Sequence, residues 1–187
     1  MDTFEAIQKR TSTRDYESTA IPKETIEKLL EAARFSPSAK NVQPWHFIVV
    51  TDAEKRKALS KGLFAKFLKN TPTVIVLCGD EKASPDWYVV DVALAGENMV
   101  IAATNEGLGT CWVGSFDEKD VKAQFGIPEN FRVVALLAVG YAKEKVGMTT
   151  KILQLVRRRK TLSEICSWER FGNKLNLGEG ASDASSA

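Results

Sequence analysis

Two arginines and three hydroxyl side chains are concentrated in one short segment, RTSTRDY at residues 10–16. The hydroxyl groups, together with the backbone N–H groups of a turn, can bind an anion. Arg10 and Arg14 add forked donors that suit a phosphate or a planar polar ring. The alternative, which local composition alone favours, is a solvated surface turn in which Arg14 pairs with Asp15. The segment is therefore a candidate anion site that the rest of the chain must support.

A second polar segment, SPSAKNVQPWHF at residues 36–47, comes just before a predicted strand. Ser36, Ser38, Asn41 and Gln43 are uncharged hydrogen-bonding side chains in an irregular, proline-broken loop. Such a loop can lie along the amide-rich edge of a ligand. The alternative is a turn-rich connector whose Trp45 docks in the core.

A third segment, GLGTCWVGSF at residues 107–116, contains Gly-x-Gly but is no dinucleotide fingerprint. Trp112 stands where the third glycine would be, and the segment connects helix to strand in the wrong order. Gly114 and Ser115, at a predicted strand end, can still bring backbone N–H groups close to a flat ligand.

Other chemistries lack their residues. The only histidine, His46, is interpreted as a core histidine rather than a catalytic base, and no Ser-His-Asp or Cys-His spacing occurs. One histidine and three scattered cysteines do not supply a metal site. The net charge of +2 argues against nucleic acid as the main partner. The basic run at residues 157–160 fits either a solvated face or a phosphate clamp.

Helical and strand patterns alternate around these segments. The patterns predict helices at 1–10, 22–35, 52–63, 86–109, 118–126 and 163–172, and strands at 46–50, 73–80, 110–116 and 131–142. The helix at 86–109 is apolar around most of its circumference, which indicates a core or subunit-interface position. No segment predicts a membrane span or a signal peptide. The unpaired cysteines favour a cytoplasmic protein.

The order of these motifs resembles the nitroreductase family of FMN-dependent oxidoreductases, in its short form. The resemblance covers about residues 2–172, ending in RRRKTLSEICSWERFG. It implies a single α+β domain at 1–172, a three-layer sandwich with a central mixed β-sheet flanked by helices, and a flexible tail at 173–187. It also implies a homodimer in which the long helix builds the interface and two FMN sites take residues from both chains.

The resemblance assigns roles to individual residues. Arg10 would hold the FMN phosphate, and Arg14 would lie near the N1–C2 carbonyl edge, where a cation stabilises reduced flavin. Ser115, or a neighbouring backbone N–H, would lie near flavin N5 and could permit one-electron chemistry. The further implied contacts are Thr11 and Ser12; Pro37, Ser38, Ala39, Asn41 and Gln43 toward the flavin of the other subunit; Trp112, Val113 and Gly114 beside the ring; and Arg159 with Arg158 or Lys160 on the phosphate.

The implied activity is electron transfer from NADH or NADPH through FMN to a nitroaromatic, a quinone or a similar small acceptor, by a ping-pong cycle. No side-chain acid or base and no metal is needed, because the flavin carries the difficult chemistry. The chain is too short for the insertion that covers the site in larger members, so an open cleft is expected. Lys66 is a weak candidate for a further flavin contact. Two alternatives stay open: a specialised reductase or dehalogenase, and an FMN-binding protein without turnover.

Overall fold

The computed structural model describes residues 1–144 and 159–173. The chain divides into two compact units, Met1–Gly147 and Met148–Ala187. The predicted single domain at 1–172 stays a prediction, and the proposed tail lies, except for residue 173, outside the described residues. None of the described helices is long and apolar enough to cross a membrane.

One four-stranded sheet forms the centre of the first unit, in the order β1-β2-β4-β3. Its strands are β1 Trp45–Val50, β2 Thr73–Asp80, β3 Gly109–Val113 and β4 Phe131–Gly140. The expected α+β class is confirmed. The strand pairing differs from the mixed sheet that was expected, because all three pairs of neighbouring strands are antiparallel. Within the described residues, parallel pairing is limited to the isolated bridge between Ser12 and Thr110.

The predicted helices are present, with shorter ends in several places. They are α1 Thr3–Lys9, α2 Lys23–Arg34, α3 Ala53–Leu59, α4 Tyr88–Asn105, α5 Glu118–Phe125 and, in the second unit, α6 Leu162–Ile165. Asp2, Asp52 and Asp117 each accept a backbone N–H in the first turn of the following helix, so aspartate caps begin three of them. Two 3₁₀ turns, Ala39–Asn41 and Lys66–Asn70, were not predicted.

Three layers follow from the alternation of side chains along β2. Val74, Val76 and Cys78 belong to a core cluster with residues of α3 and α5, including Leu59 and Val121. Ile75 and Leu77 face the opposite side and join the cluster that contains residues of α2 and α4. Because successive residues of a strand point to opposite faces, one fully buried strand serves both cores. The predicted three-layer sandwich is confirmed.

Helix α4 has one buried side and one exposed apolar side. Its buried residues are Asp91, Val92, Ala95, Gly96, Met99, Val100 and Ala103. Val90 and Leu94 are 45% and 43% exposed, and Trp87, just before the helix, is 54% exposed. The over-apolar pattern of the sequence thus reflects a helix that packs on the core and presents further apolar side chains to its surroundings.

A bidentate ion pair joins α5 to β4 on the other side of the sheet. The Glu118 carboxylate accepts hydrogen bonds from Arg132 Nε and Nη2, both at 2.8 Å, and from the Val133 N–H at 2.9 Å. The hydrogen bond from Arg132 is the main cause that lowers the pKa of Glu118 from 4.5 to about 2. Forked geometry and a backbone donor make this pair stronger than an ordinary surface ion pair.

Candidate functional site

The RTSTRDY turn is fixed to the beginning of β3. Ser12 forms the isolated bridge with Thr110, and the Thr13 N–H donates to the Thr110 carbonyl at 2.8 Å. Thr13 also packs on Gly109, where a Cβ atom would lie 2.5 Å from Thr13 Oγ1. Thr13 therefore acts as a packing residue of the turn, and the turn has a defined position on the sheet.

The buried side chain of Tyr16 supports the turn through a hydrogen bond. The side chain is only 3% exposed, and its hydroxyl donates to the Thr13 carbonyl at 2.7 Å. Burial raises the pKa of Tyr16 well above 10, so the phenol stays protonated and remains a donor. The backbone at Tyr16 and at Glu17 also pairs with the segment that follows β4. These contacts make the turn a rigid platform.

Arg10, Ser12 and Arg14 of the turn all act on the thiol of Cys111, the residue of β3 that follows Thr110. Burial raises the pKa of the Cys111 thiol; Arg14, a hydrogen bond with Ser12 and Arg10 each lower it in part. Neither arginine forms a salt bridge within the described part of the chain. Arg14 Nη1 makes one long contact, 3.5 Å, with the Ser12 carbonyl. Two positive charges that have no carboxylate partner among the described residues, together with a hydroxyl, suit an anion.

At the other end of β3, Trp112 is held by helix α4. Its indole N–H donates to Glu97 Oε2 at 3.3 Å. Its ring lies on Gly96, where a Cβ atom would be 2.8 Å from Trp112 Cζ2. Gly96 is thus required for the close approach of helix and indole.

Beyond Trp112, the chain leaves the sheet through Val113, Gly114 and Ser115. Val113 is buried, whereas Gly114 is exposed and a Cβ atom built on it would meet nothing within 4 Å in the described part of the chain. Ser115 Oγ accepts the Phe64 N–H at 3.4 Å, and Gly62 packs against the Ser115 backbone. The exit of β3 therefore has open space on one side and a fixed serine on the other.

The segment that packs on Ser115 exposes large apolar side chains. Leu63 is 71% exposed and Phe64 is 75% exposed. Lys66, the weak candidate for a flavin contact, begins the next 3₁₀ turn and is also exposed. An apolar rim next to an open strand exit suits a planar organic molecule better than a strongly hydrated one.

The loop at residues 36–44 contains backbone conformations that residues other than glycine rarely adopt. Lys40, Asn41 and Gln43 have φ angles of 52°, 56° and 53°. The loop closes on itself: the Gln43 N–H donates to Ser38 Oγ at 2.9 Å, and the Asn41 N–H donates to the Ser38 carbonyl at 2.9 Å. Left-handed backbone at residues other than glycine concentrates at ligand sites, where the surrounding structure holds it in place.

Two polar residues of α4 anchor this loop, and sequence reasoning missed both. Asp91 Oδ1 accepts the Ala39 N–H at 3.1 Å, and Asn98 Nδ2 donates to Ser36 Oγ at 2.7 Å. Together with Glu97, they are polar side chains in a helix that is otherwise mainly apolar. That pattern was the available signal, because a polar group buried in an apolar helix requires a specific partner.

The structure brings the turn and β3 together but places the loop elsewhere in the same chain. The loop leads into Trp45 of β1, whereas the turn is bridged to Thr110 of β3, and β1 and β3 are opposite edges of the sheet. Three strand spacings separate these edges, about 14 Å in all. Through the register, Trp45 aligns with Arg132 and Thr110 with Val139 of β4, seven residues apart or roughly 23 Å along the strand.

The remaining predicted residues lie outside this arrangement or outside the described chain. Pro37 and Asn41 are exposed in the loop, and Thr11 is exposed in the turn. Arg159 and Lys160 are exposed residues of the second unit, and Arg158 lies outside the described residues. Their phosphate contact stays a prediction. His46 is not a core histidine as expected: it is exposed, with its ring edge-on to Phe131 at 6.0 Å.

Comparison with known proteins places this geometry in context. A family model described as the nitroreductase family matches residues 7–72 and 59–141. A relative from Archaeoglobus fulgidus, whose name assigns it provisionally as an NADH dehydrogenase/NAD(P)H nitroreductase, is 40% identical over 147 residues, 74% of this chain and 84% of the relative.

Solved structures agree with the family match. A nitroreductase family protein from Clostridium difficile 630 has a TM-score of 0.78 at 29% identity, over 91% of this chain and 99% of its own. An FMN-dependent nitroreductase from Clostridium difficile R20291 has a TM-score of 0.70 at 28% identity, over 84% and 99% of the two chains. The matched residues contain the turn, the loop and β3, and the protein belongs to the nitroreductase family.

Proposed function

We propose that the protein is an FMN-dependent oxidoreductase of the cytoplasm that takes electrons from NADH or NADPH and passes them to a small planar acceptor. The observation that carries this proposal is the attachment of the turn with Arg10, Ser12 and Arg14 to β3, the strand that ends in the open exit at Gly114. Family membership and the FMN-dependent relative support the same reading. The three free cysteines fit a reducing compartment.

The residues of the turn fit the two polar ends of FMN. Arg10 and the turn hydroxyls would hold the phosphate, which binds best to forked cationic donors and backbone N–H groups. Arg14 would lie against the pyrimidine edge, as the family resemblance implies. Because bonds to Tyr16 and Thr110 hold the backbone of the turn, the segment that carries both arginines has a defined place before the ligand arrives.

When bound, FMN would supply the redox chemistry, that is, hydride transfer from the nicotinamide and electron transfer to the acceptor in two separate half-reactions. The protein contributes charge, shape and one hydroxyl. The positive charge of Arg14 would stabilise the negative charge that develops on the pyrimidine edge of the ligand. This effect needs no reorganisation during the reaction. Ser115 Oγ already accepts the Phe64 N–H, so its own hydrogen remains available to donate toward the ligand.

We further propose a homodimer with sites built from both chains. The loop with Ser38, Asn41 and Gln43 and the turn with Arg10 and Arg14 lie near diagonal corners of one sheet, too far apart for one ligand to contact both. A second copy can bring its loop to the turn. Exposed apolar side chains on α1 and α4, which pack against each other, offer a surface for it: Phe4, Ile7, Val90 and Leu94.

The acceptor is proposed to be planar and largely apolar, such as a nitroaromatic or a quinone. Leu63 and Phe64 form an exposed apolar rim beside Ser115. An exposed phenyl ring can stack on an aromatic acceptor with little reorganisation. The short chain leaves this rim uncovered within the described residues, so acceptors of several shapes can reach it.

The direct test is the spectrum of the purified protein. We expect a yellow protein that releases FMN on denaturation and bleaches when NADH or NADPH is added without oxygen. A protein that stays colourless and cannot be reconstituted with FMN contradicts the proposal. A protein that binds FMN but reacts with neither nucleotide would instead be a flavin-binding protein without turnover.

Substitution of Arg14 by alanine tests the residue assignment. Hydrogen bonds to charged groups are worth about 1.5–3 kcal/mol, so R14A should weaken FMN binding roughly 10- to 150-fold. It should leave the oligomeric state unchanged, because the proposed interface lies on α1 and α4. Lys23→Ala is the control, since Lys23 is 85% exposed at the start of α2. Equal FMN affinity and equal reduction rates in R14A and the wild type would refute the role of Arg14.

A further inference from the structure

We propose that Asp91 is a positioning residue for the flavin site: its buried carboxylate holds the loop at residues 38–43 in the conformation that binds FMN. The inference rests on the proposed function, because the loop is assigned to the flavin of the other subunit. Asp91 lies 52 residues from Ala39, the loop residue it contacts, so the sequence does not show that the two meet. The inference comes from strain, burial and hydrogen bonding.

The loop needs an external anchor because its backbone is unfavourable. Lys40 and Gln43 adopt left-handed φ angles that an L-residue with a long side chain occupies only at a cost. Asn41 also has a left-handed φ, although asparagine tolerates it better. Three such residues within four positions would relax to other conformations in a free loop. Hydrogen bonds must offset the strain if the loop is to be ready for a ligand.

Most of the hydrogen bonds at this place are internal to the loop. The Gln43 N–H and the Asn41 N–H both bond to Ser38, and the Val42 N–H bonds to the Ala39 carbonyl at 3.0 Å. Internal bonds shape the loop but do not fix it relative to the rest of the chain. Two bonds tie the loop to helix α4: Asn98 Nδ2 donates to Ser36 Oγ at 2.7 Å, and the Ala39 N–H donates to Asp91 Oδ1 at 3.1 Å, directly before the strained residues.

The burial of Asp91 is otherwise unexplained. It is 2% exposed, and the salt bridges of the described residues do not include it. Its second oxygen contacts the Ser84 hydroxyl at 3.5 Å, which is a weak contribution. A buried carboxylate without a cation costs stability, and an apolar residue would pack there at lower cost. The position in the first turn of α4 offsets part of this cost through the helix dipole.

Site-directed variants separate this role from general destabilisation. Asp91→Ala should weaken FMN binding about tenfold or more, because the anchor of the loop is removed. Asp91→Asn keeps an acceptor oxygen for the Ala39 N–H and should bind FMN within about threefold of the wild type. Asp86→Ala is the matched control, since Asp86 is an exposed aspartate just before the same helix. It should leave FMN affinity unchanged.

A rescue experiment tests the strain directly. Lys40→Gly removes the penalty of a left-handed φ, so in the Asp91→Ala background it should recover part of the lost FMN affinity. In the wild type, where Asp91 already holds the loop, Lys40→Gly should change the FMN dissociation constant less than twofold. A side chain that served only the general stability of α4 would not couple to Lys40 in this way.

FMN affinities of the Asp91 variants decide whether Asp91 positions the loop. A folded Asp91→Ala protein that binds FMN as the wild type does overturns the proposal, and so does equal loss in Asp91→Ala and Asp91→Asn. If Asp91→Ala does not fold, Asp91→Leu replaces it, because an apolar side chain can fill the buried position without accepting the Ala39 N–H; unchanged FMN affinity in that variant then overturns the proposal. Should the wild type bind no FMN, the proposed function fails, and hydrogen exchange at the amides of residues 39–43 decides the positioning role. The positioning role requires these amides to exchange faster in an Asp91 variant that cannot accept the Ala39 N–H than in the wild type.

Discussion

The open space at Gly114 predicts that substitution by alanine stabilises the ligand-free protein but weakens FMN binding. A Cβ atom on Gly114 would meet nothing within 4 Å among the described residues, and the residue is exposed at the end of β3. Its φ is outside the left-handed range, so alanine fits without backbone strain. Gly114→Ala should therefore not disturb the fold of the ligand-free chain, whereas the added methyl group enters the space assigned to FMN.

The two magnitudes can be worked out separately. Replacing glycine by alanine at an unstrained position raises the free energy of unfolding by about 0.4–1 kcal/mol, because the unfolded chain loses conformational freedom. A methyl group forced into a packed contact costs about 1–3 kcal/mol. If FMN lies against Gly114, that cost appears in binding and corresponds to a dissociation constant roughly 5- to 150-fold weaker.

Urea unfolding of the ligand-free protein and a fluorescence titration with FMN measure the two quantities. Gly126→Ala is the control, because Gly126 also has open space but adopts a φ of 65° at the end of α5. This control should lose about 1 kcal/mol of stability and keep its FMN affinity. Unchanged FMN affinity in a stable Gly114→Ala protein would refute the passage of the flavin along this part of β3.

Two further predictions concern the packing of Gly62 against Ser115 and the ion pair between Glu118 and Arg132. Gly62→Ala places a Cβ atom 2.7 Å from the carbonyl carbon of Ser115, so the variant should shift Ser115 and slow flavin reduction in stopped-flow measurements; a wild-type rate would show that Ser115 takes no part. The pKa of Glu118 is lowered from 4.5 to about 2, so its contribution to stability is complete above pH 4.5 and is lost as the pH falls toward 2. Glu118→Gln should cost about 1–2 kcal/mol in urea unfolding at pH 7, after allowance for partial exposure, and progressively less below pH 4.5. Glu54→Gln, in an exposed pair with Lys57 at 3.6 Å, should cost less than about 0.5 kcal/mol at either pH; equal costs in the two variants would contradict the special status of Glu118.

Local patterns in the sequence were enough to predict most of the elements. The strand predicted at 73–80 is present as β2, and the helices predicted at 52–63 and 118–126 begin at Ala53 and Glu118, because both signals depend on residues close in the chain. The strand pairing was harder, because an antiparallel sheet and a mixed sheet can be built from the same apolar runs. The helix predicted at 163–172 ends at Ile165 for a similar reason: local propensity does not decide where a short helix stops.

The candidate site was predictable where its residues are consecutive and unpredictable where they are distant. The turn at residues 10–16 could be recognised by composition, but its bridge to Thr110 spans almost a hundred residues. The left-handed angles at Lys40 and Gln43 were not predictable, because neither residue type favours them. Asp91 was missed because its partner is a backbone N–H, and a backbone group leaves no trace in the sequence.

The groups with strongly shifted pKa values indicate which part of the chemistry the side chains can supply and which part is left to the proposed cofactor. Burial raises the pKa of Cys78 to about 11 and raises that of Tyr16 well above its usual value, while the ion pair with Arg132 lowers that of Glu118. Cys78 and Tyr16 are buried, and Glu118 is bound to β4, so these shifts reflect packing and pairing. They do not produce a group that titrates near neutral pH, which general acid–base catalysis requires. The described chain instead places two arginines at the beginning of β3 and a donor hydroxyl at its exit, the contributions that a flavin would need from its protein.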